Sequence, residues 1–216
     1  MKKYIYLLIF LFGFANVSNA VTKKIGFSLA AGVFDTSAKE KEGTETSASK
    51  SAEGLFAIPS LFLELSPNDR FFIGVDYVPM ALESETTEHK QSDKTSSATA
   101  STVTNKAQVD FNDLTTIYAR FAINDAVYLK AGMMTVEAET NEVLGTGSTY
   151  EDKTLSGTML ALGFEHDLGT GAFVRGELNH MEFGGETFKS TNNSDNTVVV
   201  EDIEGYGARI SIGRTF

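Results

Sequence analysis

The chain has 216 residues, no cysteine, no tryptophan and a formal net charge of −11. Without cysteine there is no disulfide and no thiol chemistry. The acid excess argues against nucleic acid as a partner, because such binding needs clustered Lys and Arg.

Residues 1–20, MKKYIYLLIFLFGFANVSNA, have the order of a secretory signal peptide. Lys2 and Lys3 supply the positive start, and Tyr4 to Phe14 is apolar. Ser18-Asn19-Ala20 places small residues where a signal peptidase needs them, which predicts cleavage after Ala20. The apolar run is short against the roughly 20 residues of a spanning helix. Cleavage removes two lysines and no acid, so residues 21–216 carry −13. That length suits one domain.

The rest of the chain reads as eight strands, near 23–35, 53–65, 70–83, 107–123, 126–138, 153–167, 172–184 and 202–216. Each is rich in Val, Ile, Phe, Tyr or Thr, alternates with period two, and is bounded by turn residues. No stretch has a 3.6-residue apolar period. The nearest to an apolar run is 55–65, which Pro59 and Glu64 interrupt.

The connections alternate strictly between short and long. The short ones are 66–69 (SPND), 124–125 (ND) and 168–171 (LGTG). The long ones are 36–52, 84–106, 139–152 and 185–201. In an up-and-down barrel, all long connections then gather at one end. Ser, Thr, Glu and Lys dominate 36–52 and 91–104. Such composition buries too little apolar surface to offset ordering, so these loops are expected to be mobile and solvated.

Side chains alternate faces along a strand. One face is apolar, as in Ile25/Phe27/Leu29, Leu61/Leu63/Leu65, Leu160/Leu162/Phe164 and Ile210/Ile212. The opposite face is Gly, Ser and Ala with a few charges. Those charges are Glu64, Asp76, Glu165 and Glu177 against Arg120, Lys130, Arg175 and Arg209. Four acids matching four bases suit a narrow interior, where an unpaired charge is costly. Pairing across 168–171 sets Glu165 almost opposite Arg175. Phe34, Phe62, Phe72, Tyr118, Met134 and Met159 share the interior face, so the expectation is a sealed lumen. The apolar face then points to lipid.

The final stretch is YGARISIGRTF, with Tyr206, Ile210, Ile212 and Phe216 on one face. A terminal aromatic in that register resembles the assembly signal of outer-membrane β-barrels. Over 21–216 the chain resembles the small eight-stranded outer-membrane barrels: the OmpA transmembrane domain, OmpX and opacity-type surface proteins. The resemblance implies an all-β, antiparallel, up-and-down transmembrane barrel in a Gram-negative outer membrane. It also implies membrane lipid, outer-leaflet glycolipid and the barrel assembly machinery as partners, and a monomer.

No catalytic, metal or cofactor site is expected. His89, His166 and His180 lack metal-ligand spacing. His180 shares an outward register with Ser156, Thr158 and Glu182, a loose set with no motif behind it. The expected role is non-enzymatic, with four long surface loops serving envelope structure or surface contact. The alternatives are a narrow channel for small solutes, apolar ones included, and a lipid-modifying enzyme.

Overall fold

Period-two patterning makes strands, and their backbone groups must then find partners. The computed structural model describes residues 21–42, 45–46, 50–84, 86–93, 101–145, 147–193 and 195–216. The expected signal peptide, 1–20, lies outside the described residues. The strands are β1 (Thr22–Glu42), β2 (Glu45–Thr46), β3 (Lys50–Ser66), β4 (Phe71–Tyr77), β5 (Leu82–Glu83), β6 (Thr87–Asp93) and β7 (Ser101–Ala122). They continue with β8 (Val127–Val143), β9 (Lys153–Gly169), β10 (Ala172–Phe183), β11 (Glu186–Lys189), β12 (Asn196–Val200) and β13 (Ile203–Thr215).

Eight of these form the expected ring, β1-β3-β4-β7-β8-β9-β10-β13, and every pairing is antiparallel. β1 closes it, pairing β3 from Thr22↔Ser66 to Ala38↔Lys50 and β13 from Lys24↔Thr215 to Asp35↔Glu204. Phe216 extends that closure, since Lys23 and Phe216 exchange backbone hydrogen bonds of 3.1 and 2.8 Å.

The short turns have a local cause. Asn68 Oδ1 accepts from the N–H of Arg70 and Phe71, and Asn124 Oδ1 accepts from the N–H of Ala126 and Val127. Each asparagine thus substitutes for a backbone acceptor at a tight reversal. The third turn uses the left-handed backbone of Gly169, Thr170 and Gly171.

The apolar face points outward around the whole ring. Leu162 is 52% exposed and Ile210 72% exposed, with Ile25, Phe27, Leu61, Ile73, Ile117 and Leu129 in the same belt. A continuous apolar girdle far exceeds the patches of a water-soluble monomer. It is a lipid-facing surface.

Two expectations need correction. The long connections are not simply mobile. β1, β3, β7 and β8 run on past the predicted strand ends, β6 pairs β7, and the β11–β12 hairpin joins β1 through Ala38↔Val200 to Glu42↔Asn196. A strand already held in the barrel can add ladder bonds one residue at a time, which composition alone does not reveal. Glu201 reinforces this extension by accepting from Lys39 and Ser37, contacts that hold its carboxyl below the usual range.

The strand predicted at 70–83 also stops early, at Tyr77. Pro79, which has no N–H, follows at once. Val78 N–H bonds Leu114 O at 3.0 Å, and the chain then resumes along β7 as β5 and β6. β3 therefore pairs β4 only over Leu61–Leu65, and among the described residues 50–60 have no strand partner on their second edge. Pro59 sits in that stretch, where a missing N–H is best tolerated. The break is braced by Tyr77, whose hydroxyl donates to Asp113 in the irregular step of β7 at 2.8 Å.

Leu162→Arg places a charge in mid-belt and should cost roughly 2–4 kcal/mol, whereas Asp195→Arg, in an exposed turn, should change little. Refolding into lipid vesicles across a urea series measures both. Equal costs would mean the belt does not meet lipid.

Candidate functional site

The small face of each strand turns inward, and the barrel is narrow. Its interior falls into two regions, a charged half near the short turns and an apolar half beyond it.

The charged half has two tiers. In the lower one, Arg175 grips Glu64 with both guanidinium ends, Nη1 to Oε1 at 2.8 Å and Nη2 to Oε2 at 2.5 Å. Arg175 Nε also donates to Glu165 at 2.7 Å, across the directly opposed pair Arg175↔Glu165. Lys24 donates to the other oxygen of Glu165, and Tyr118 donates to Glu64 at 2.9 Å. Arg120 lies 3.3 Å from Glu64 and 3.7 Å from Glu165. In the upper tier, Lys130 and Tyr128 donate to Glu177, and Arg209 donates to Asp76 at 2.5 Å while lying 3.7 Å from Glu177. Ser60 also donates to Asp76 at 3.1 Å.

Aromatic rings fill the space between charges. The Arg120 guanidinium lies 3.9 Å from the Phe72 ring, and that of Arg175 4.6 Å from Phe173. Stacking of this kind desolvates a guanidinium while still compensating its charge. Two glycines make room for the tyrosines that cross the lumen. A Cβ on Gly74 would lie 2.5 Å from the Tyr118 ring, and one on Gly163 2.5 Å from Tyr128.

All eight charges expected inside lie in the lumen; seven are hydrogen-bonded to one another, and Arg120 faces Glu64 and Glu165 at ion-pair distance. Lys24 was missed, although it follows the same parity as Ser28 and Ala30 on β1. Tyr128 and Phe173, which could have joined an interfacial girdle, are buried in the lumen. Tyr206, Ile210, Ile212 and Phe216 are all exposed, on the outward face of the closing strand and its end.

The apolar half holds Met134, Val136, Leu155, Met159, Met181, Phe183 and Phe188, with Phe34, Phe56, Phe111 and Val198 packed against them. A smaller cluster of Ala30, Ile58 and Val78, with Leu82 and Leu114 alongside, lies at the break after β4.

On the outer wall, His180 Nε2 lies 2.9 Å from Glu204, its ring stacks on Tyr206 at 4.7 Å, and Tyr206 donates to Glu204 at 2.6 Å. The acid beside His180 is thus Glu204, not Glu182. Among the described residues no hydroxyl bonds the His180 ring. His89 has no described side chain, and no group of His, Asp or Glu among the described residues is arranged to hold a metal ion.

No protein-family model and no curated protein matches the chain. Solved structures do. The outer-membrane protein OprG of Pseudomonas aeruginosa superposes with a TM-score of 0.58 at 12% identity, over 90% of this chain and 95% of that one. AlkL, solved in lipid bilayers, gives 0.47 at 10% identity over 91% and 89%. The protease OmpT of Escherichia coli gives 0.46 at 12% identity over 90% and 96%.

Arg175→Met strands Glu64 and should cost roughly 3–5 kcal/mol. The double variant Glu64→Leu/Arg175→Met should cost much less than the two singles together, because neither charge is left alone. Urea unfolding followed by gel mobility measures the cycle, and additive costs would deny the coupling. With its closed ring, lipid-facing belt and charge-lined lower lumen, the chain has the fold of the small eight-stranded outer-membrane β-barrels, and that belt is the surface such a barrel sets in the outer membrane.

Proposed function

We propose that this barrel is a non-enzymatic outer-membrane protein that passes small apolar molecules between the cell exterior and the membrane, sideways through its wall. The observation that carries this reading is the seam between β3 and the chain after β4. A barrel wall is normally a continuous hydrogen-bonded ladder, and parting it leaves polar groups unpaired. Here, among the described residues, 50–60 have no ladder on the edge away from β1. The wall is closed instead by packing of Ile58 against Val78 and Leu82. Such contacts are individually weak and non-directional, so side-chain motion can open them.

The interior supports the same path. An apolar solute entering from the long-loop end meets Met and Phe side chains, and three methionines give that lining adaptable shape. Below it the ion network blocks onward passage. The sideways route ends at lipid, with Leu55 (88% exposed) and Met80 (49% exposed) beside the seam. No charged group of the plug has to move.

A second reading, contact with external surfaces, is favoured by the order beyond the belt. The β11–β12 hairpin is tied to 147–150 through Asn192 to Gly147 O, Asn196 to Ser148, and the Thr149–Thr191 hydroxyl pair. Such a braced crown can present a fixed surface.

Charges at the seam discriminate between the two. Leu55→Lys and Met80→Lys leave the core intact, yet a cation on an apolar path should slow solute transfer about tenfold or more. Uptake of a small fluorescent hydrocarbon into vesicles carrying the refolded protein reads the rate, with bilayer conductance staying low throughout. Unchanged uptake in both variants would defeat the sideways route and leave surface contact as the better reading.

A further inference from the structure

The interior charges do not balance. Among the described residues, five cations, Lys24, Arg120, Lys130, Arg175 and Arg209, meet four carboxylates, Glu64, Asp76, Glu165 and Glu177. The upper tier is neutral, two against two. The lower tier has three cations, Lys24, Arg120 and Arg175, for Glu64 and Glu165. A surplus charge in a desolvated interior is costly unless something answers it.

Arg120 is where the surplus shows. Its side chain is 3% exposed, and Arg175 already occupies both oxygens of Glu64. Arg120 Nη2 faces Glu64 at 3.3 Å without a hydrogen bond, and Nε has no hydrogen-bond acceptor among the described residues. Phe72 at 3.9 Å and Tyr128 at 4.8 Å hold its plane in place. Arg120 and Lys24 both line a cavity of about 200 Å³ at the short-turn end of the barrel, walled by Phe72, Tyr128 and Glu165. Asp69, Arg70 and Asp125 stand at its mouth, exposed and therefore screened by water.

We propose that this vestibule binds a small monovalent anion, a halide or a one-carbon or two-carbon carboxylate, between Arg120 and Lys24. One surplus charge calls for one negative charge. The Arg120 Nε–H, which has no acceptor among the described residues, and the Lys24 ammonium offer charge-assisted donors that favour such an ion over water. The site opens toward the short turns, which face the periplasm in outer-membrane barrels, so the ion comes from that side. This inference does not rest on sideways transfer, because it concerns the opposite end of the lumen.

The test is thermal unfolding of the refolded protein in detergent at constant ionic strength, with chloride or formate replacing bulky gluconate. The midpoint should rise saturably, and the half-saturation values tell halide from carboxylate. Lys24→Gln leaves four cations for four carboxylates, so this variant should fold and lose the response. Glu165→Gln raises the surplus to two and should steepen it. If Glu165→Gln does not refold, the contrast between wild type and Lys24→Gln still decides. A flat wild-type midpoint, or an undiminished response in Lys24→Gln, overturns the proposal.

Discussion

In hydrocarbon every backbone N–H and C=O must find a partner within the protein, and this requirement shapes the whole molecule. It closes the ring through β1, which pairs β3 on one edge and β13 on the other. It also explains why the closure runs to Phe216, bonded back to Lys23. A departure is the edge of β3 opposite the break at Pro79, where 50–60 have no second strand partner among the described residues. That departure lies in the half of the barrel away from the short turns, next to an apolar interior.

A narrow closed ring sets the second constraint. Its lumen cannot hydrate several charges independently, so they must satisfy one another. Glu64 is the node: it is fully buried, takes both ends of Arg175, accepts from Tyr118 and faces Arg120. The tyrosines reach across only because Gly74 and Gly163 leave room for their rings. Small residues on one strand thus set the reach of large ones on the next, and together they fill the short-turn half.

The two halves of the interior divide the work. The charged half is held by directional contacts with shared partners. The apolar half is held by packing, with methionines at its centre. Motion is therefore expected where the wall has no ladder, and resistance where the charges lie. The outer-wall cluster of His180, Glu204 and Tyr206 belongs to neither half and reads as polar groups satisfying one another near the membrane rim.

Strand number, facing and the short turns were legible in the sequence because they are local. Period-two alternation decides which side chain faces lipid, and Asn68 and Asn124 cap reversals within three residues of themselves. The inward set of eight charges followed from the same parity, and the Glu165–Arg175 pair from the turn between them. Lys24 obeys that parity too, but its partner Glu165 lies 141 residues away. The grip of Arg175 on Glu64 spans 111 residues and depends on the stagger of strands around the ring. The seam was hidden for a related reason. Pro79 signals a break, but whether the chain then rejoins β3 or follows β7 is settled by pairing with a strand that comes later. Likewise Ser- and Thr-rich connections read as solvated, yet their described residues at the strand ends join ladders that begin inside the barrel. Alternation along one strand determined which way each residue points; only the closed ring, with its stagger and the open edge of β3, decided what each residue meets.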